Sequence, residues 1–174
     1  MRNLKILLVA VMVLGLAGIA YAVNPDTMNL LVTPETTISV NIYKAEYNFG
    51  SVALGNAKTV NTPDSIRVVN DGDAGAYWND QAGNSTNWSL GAGGTPGEDT
   101  FVLLSSCVAT TEGQPTHAQI THELGTSYGI SISTVNSGVE RCLYFKLIMP
   151  STVSAGKGGQ QTILYTINAT QAGT

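Results

Sequence analysis

The chain has 174 residues, 12 of them acidic and 8 basic, and only 11% of it is charged. A net charge of −4 with no basic stripe argues against a nucleic-acid binder and against adhesion to anionic lipid. Charged residues usually approach about a quarter of a domain. Polar surface must here come from Thr, Ser, Asn, Gln and Gly, which suits exposed β faces and not helices.

The first 22 residues read as an export leader. Arg2 and Lys5 give a positive start, Ile6 to Ala20 is apolar and uncharged, and Ala20-Tyr21-Ala22 places small residues where a signal peptidase reads. The apolar run is short for a membrane span and contains Gly15 and Gly18. Cleavage after Ala22 is expected, so the membrane is met only through the precursor. What remains, about 150 residues, is one domain's worth. Residues 23–35 are less regular and read as a flexible lead-in or a donor strand. Residues 36–174 read as the folded domain.

Period-two alternation then recurs along the chain, with no helical apolar period over three turns. From Thr37 to Tyr43, Ile38, Val40 and Ile42 share one face. Ser65 to Val69 alternates through Ile66 and Val68. Thr100 to Leu104 is continuously apolar and reads as a strand covered on both sides. Ile130 and Ile132 alternate with serines. Cys142 to Leu147 and Thr162 to Asn168 are the last two predicted strands. Turn signals separate them, including Asn70-Asp71-Gly72-Asp73, Glu112-Gly113-Gln114-Pro115, Asn136-Ser137-Gly138 and Gly156-Lys157-Gly158-Gly159. Short strands at this spacing predict an all-β fold, an antiparallel sandwich behind a leader helix. Cys107 and Cys142 are both in the exported part, and two cysteines there predict one disulfide.

Two stretches carry a resemblance. Tyr47-Asn48-Phe49-Gly50-Ser51-Val52-Ala53-Leu54-Gly55, followed by Ile66-Arg67-Val68-Val69-Asn70-Asp71-Gly72, resembles the opening of immunoglobulin-like ASH or HYDIN-type domains. The resemblance implies an Ig-like sandwich, with Phe49 plugging one end of the core. Leu143 to Leu147, Gly158 and Thr162 to Ala169 are similar to the ending of secreted pilin-like domains of the spore-coat-U kind. That likeness implies strand donation between subunits, with Met28–Val32 or Thr37–Tyr43 as donor.

Chemistry-bearing groups are sparse. His117 and His122 are the only histidines. Five residues apart on a strand, they would face opposite sides, so surface positions are expected and a shared metal is not. No nucleophile elbow is present, and no catalytic residues are expected. Asp71, Asp73 and Asp80, with Asn70 and Asn79, form an oxygen-rich stretch that reads as an ordinary turn or, less favourably, a Ca²⁺ loop. No other cofactor is expected. Together with Tyr77, Trp78 and Trp88 that stretch is also a candidate binding loop, although tryptophan in a domain this size is more often core. Asn84, Asn87 and Asn168 begin N-glycosylation sequons. The combined expectation is a secreted, non-catalytic structural or interaction protein of the cell surface, such as a filament, coat or matrix subunit that self-associates or binds another surface protein. The alternative is an extracellular module that binds carbohydrate or protein.

Overall fold

The computed structural model describes residues 31, 35–60 and 65–172. The expected leader and, apart from Leu31, the stretch 23–34 lie outside the described residues. The described chain is all-β: among its residues there is no helix, and ten strands form two sheets. In chain order they are β1 (Asn41–Ile42), β2 (Ala57–Thr59), β3 (Ile66–Val69), β4 (Ala76–Ala82), β5 (Ser89–Leu90), β6 (Thr100–Ala109), β7 (His122–Glu123), β8 (Gly129–Val135), β9 (Glu140–Ile148) and β10 (Tyr165–Gln171).

The larger sheet is built on β6 and β9, which pair antiparallel from Val102↔Ile148 to Ala109↔Arg141. Both are rich in β-branched and aromatic residues. The far edge of β9 is shared by β2 and β3. Ala57 lies opposite Ile148 and Thr59 opposite Lys146, whereas Ile66 lies opposite Leu143. The two short strands are therefore one line along β9, offset by a four-residue excess of chain. β1 adds to β3 through Asn41↔Val69 and Ile42↔Val68. On the far edge of β6, β7 pairs antiparallel and β5 pairs parallel, so the sheet is mixed rather than wholly antiparallel.

The smaller sheet runs β10-β4-β8, antiparallel throughout. β4 is its middle strand and alternates strictly: Ala76, Trp78, Asp80 and Ala82 are buried while Tyr77, Asn79 and Gln81 are half-buried. Sequence reading took this stretch for part of a polar loop. The ladder overrides that expectation, with seven rungs from Tyr165↔Ala82 to Gln171↔Ala76. The last predicted strand also starts later than expected, at Tyr165 instead of Thr162.

Both sheets contribute to one apolar cluster. Trp78, Phe101, Leu143 and Val135 are at most 1% exposed within it. Burial of each such side chain stabilises the fold by roughly 1.5–3 kcal/mol. Ile38, Val40 and Ile42 pack against the same cluster, so the expected alternation of Thr37–Tyr43 holds although only Asn41 and Ile42 are in a ladder. Phe101 to Leu104 are all buried, matching the reading of a strand covered on both faces.

Asn70 shapes the turn after β3. Its amide donates to the carbonyls of Ala74 and Val135, and its Oδ1 accepts from the Gly72 N–H. Gly72 is required there, because a Cβ would stand 2.4 Å from the Thr37 carbonyl oxygen. The N-terminal run is tied to this same turn: the Thr37 N–H donates to the Asp73 carboxylate and the Asp73 N–H donates to the Thr37 carbonyl. Gly55 makes the tight turn before β2 with φ 71°, a conformation that side chains disfavour.

The expected disulfide is not present. Cys107 and Cys142 are free. Cys107 lies opposite Leu143, whereas Cys142 lies opposite Val108. Residues directly opposite each other share a face, and successive residues alternate faces. The two thiols therefore point to opposite sides of one sheet and cannot be bridged without moving the backbone. Burial is the main cause that pushes the Cys107 thiol up to about 12. Such a thiol stays protonated and unreactive at neutral pH. Two slow-reacting thiols are therefore expected by Ellman titration of the native protein, both becoming titratable in denaturant. The urea midpoint should not change when reductant is added. A midpoint that falls in reductant would restore the bridge.

Candidate functional site

Two features stand out within the folded unit: a polar cluster inside the core and an apolar groove at its side. The cluster centres on Asp80, whose side chain is 0% exposed. Its inward position on β4 follows from the alternation with Trp78 and Ala82. Ser105 Oγ donates to Oδ2 at 3.1 Å, and Tyr165 Oη donates to the same oxygen at 3.2 Å. His122 Nε2 lies 2.9 Å from Oδ1. Asp80 and Tyr165 belong to the small sheet, and Ser105 and His122 to the large one. The carboxylate thus ties the two sheets together. Burial, reinforced by the Asp80 charge, drives the Tyr165 hydroxyl well above its ordinary range, so it remains a proton donor.

The same residues do not make a nucleophile. Ser105 is 2% exposed and spends its proton on Asp80, not on the imidazole opposite it in the ladder. Attack needs a base that takes the serine proton and an approach for substrate. His122 was expected at the surface. It is instead half-buried against Asp80, while His117 is exposed in a turn. Ser105 and Tyr165 were not anticipated at all. Only the inward parity of their strands could have suggested them.

The candidate binding loop is taken apart by the fold. Trp78 is in the core at 0% exposure, and Trp88 is 7% exposed with its Nε1–H donating to the Lys157 carbonyl. Tyr77 is half-buried on the outer side of β4. Asp71 is exposed, and Asp73 holds the Thr37 N–H. Asp80 faces the interior, so the three carboxylates of the Ca²⁺ reading do not converge. Among the described residues no group of three or more His, Cys, Asp or Glu is placed to hold a metal. Of the sequon asparagines, Asn168 is exposed on β10, Asn87 is half-buried, and Asn84 accepts from the Leu90 N–H through its Oδ1.

The groove has a volume of ≈ 820 Å³. Its floor is Ile66, Leu103, Leu143, Phe145 and Leu147 from the inner face of the large sheet. One wall is the segment 44–52, and the other is 159–165. Neither segment is in a ladder up to Tyr165, and β10 pairs only with β4 among the described residues. Both walls carry some bonds of their own: the Leu164 carbonyl accepts from the Gly83 N–H, and the Gly50 N–H donates to Asn48 Oδ1. The second wall is fixed from behind. Asp99 accepts from Lys157 Nζ and from the N–H and Oγ of Ser154, bonds that hold its carboxyl down at about 2. Gln161 Oε1 accepts from Ser85 Oγ and the Asn87 N–H. At the rim Leu164 is 70% exposed. Phe145 and Tyr165 meet edge to face at 4.7 Å, and the Tyr165 bond to Asp80 fixes that contact. The groove is therefore a trough with an apolar floor and walls that mix apolar and polar side chains. No protein-family model matches the chain, and no curated protein matches it either.

Proposed function

We propose that this is a secreted, non-catalytic structural or interaction protein of the cell surface, an Ig-like β-sandwich subunit that docks an extended strand of a protein partner in the groove between residues 44–52 and 159–165. The groove carries the reading. A trough with an apolar floor between two segments that lie outside the ladders suits a β-strand, whose alternate side chains fill pockets while its backbone bonds to the edges. A compact ligand would use only part of it. The leader-like start, the low charge and the Thr- and Asn-rich surface fit an extracellular assembly protein. Carbohydrate binding by stacking is disfavoured, because Trp78 and Trp88 are buried.

Two measurements on the exported protein test the proposal. Mass spectrometry should find a mature chain beginning at Val23. Sedimentation at rising concentration, with electron microscopy of the same samples, should find association and ordered fibres. A chain that stays strictly monomeric at high concentration and retains no protein partner from its own secretome would overturn it.

A further inference from the structure

We infer that β10 pairs edge to edge with β10 of a second copy of this chain, antiparallel across a two-fold axis at Asn168. β10 is an outer strand of the small sheet, whose order is β10-β4-β8. The Gly83 N–H donates to the Leu164 carbonyl, and the Ala172 N–H donates to the Gly75 carbonyl, one rung beyond each end of the β4 ladder. Hydrogen-bonded and non-hydrogen-bonded rungs alternate in an antiparallel pair. Leu164, Thr166, Asn168, Thr170 and Ala172 therefore turn their backbone groups towards β4. The Ala82 N–H, opposite Tyr165, follows the same parity and donates away from β10 to the Gly125 carbonyl. Tyr165, Ile167, Ala169 and Gln171 turn their N–H and C=O groups outwards, and among the described residues those groups have no backbone partner.

A free sheet edge is ordinarily blunted by shortness, charge, proline or a bulge. The other short or outer strands follow that rule. β1, β2, β5 and β7 have two or three residues each, and β8 is bulged against β4 and holds Thr134 at φ 46°. β10 has none of these devices: its seven residues include no charge, proline or glycine, and its ladder has no register shift. The strand's own sequence selects a second copy as the occupant. A two-fold axis sets each residue opposite its mirror position, so any charge would meet its like. β10 offers none, in a chain of net charge −4. With the axis at Asn168, Tyr165 faces Gln171 and Ile167 faces Ala169 of the other copy. Every outward-turned residue thus meets one turned towards it. On the solvent face Thr166 meets Thr170, a hydroxyl pair that is favoured across strands, and Asn168 meets Asn168. Asn168 and Thr170 are exposed, and Thr166 is half-buried. The two small sheets then join in the order β8-β4-β10-β10-β4-β8. Beyond Tyr165 no residue of β10 lines the groove, so this contact is separate from strand docking there.

Cysteine placement in the exported protein reads both the contact and its register. At a non-hydrogen-bonded rung the two Cα atoms stand about 4.5 Å apart, within reach of a disulfide. Asn168→Cys should therefore give a covalent dimer under mild oxidation, with wild type as the blank. Thr166→Cys and Thr170→Cys should not cross-link alone, but should do so when mixed. Independently, Asn168→Lys sets like charges across the axis. It should raise the dimer dissociation constant at least tenfold in analytical ultracentrifugation while melting like wild type, and mixing with Asn168→Glu should restore a dimer. No cross-link at Asn168→Cys, or equal cross-linking at all three positions, sinks the inference. So does an Asn168→Lys protein that dimerises like wild type. Ser51→Trp, at an exposed position of the groove wall, should keep the β10 dimer and lose only larger assemblies. A dimer lost in Ser51→Trp and kept in Asn168→Lys would mean that groove docking alone joins the copies.

Discussion

Replacing Asp80 with alanine is expected to lower the unfolding free energy by about 3–5 kcal/mol, near the upper end for a single substitution. The carboxylate is fully enclosed and accepts from Ser105 and Tyr165 while pairing with His122. Its removal leaves those groups beside a void without a partner, and each buried unpaired polar group costs about 1–3 kcal/mol. The Tyr165 hydroxyl cannot escape by ionising, because burial drives it far above the pH range of the experiment. Asp80→Asn keeps the shape but turns an N–H₂ group towards a donor, so it should fall between wild type and alanine. Urea unfolding gives the values. A loss below about 1 kcal/mol for Asp80→Ala would mean that the network does not hold the sheets together.

Trp78→Ala should be nearly as damaging, at about 3–5 kcal/mol from lost burial and the cavity left behind. The melting temperature should fall by roughly 10–20 °C for a domain of this size. Trp78 is 0% exposed in the middle of the small sheet. An aromatic that served a ligand at the surface would behave in the opposite way, losing binding with little loss of stability. A stable Trp78→Ala protein would therefore reopen the carbohydrate-binding reading.

Much of the strand content was legible in the sequence, because a side chain's parity is written into the order of residues. β6 and β9 are long enough to show it, and so is the run from Ile38 to Ile42. β4 was missed because a carboxylate occupies one of its inward positions, and Asp80 directly after Asn79 reads as turn chemistry. Its inward place makes sense only with Ser105, His122 and Tyr165 around it, and those come from three distant strands. β2, β5 and β7 have two or three residues each, too few for any period. The cysteine pairing failed for a related reason. The expectation rested on export and a count of two, but whether Cys107 and Cys142 share a face depends on register across a long connection, and a shift of one residue reverses the answer. The groove is likewise invisible in one dimension, since its walls are far apart in the chain.

The two ends of the folded chain sit beside each other: Thr37 bonds to Asp73, and the Ala172 N–H bonds to the Gly75 carbonyl on the same turn. Tension applied between those ends would unzip β1 and β10 one rung at a time, so the isolated domain should be mechanically soft. A strand held in the groove and pulled against Thr37 would instead load the ladders lengthwise, with many bonds bearing force at once. Stiffness would then belong to the joined material and not to the single molecule.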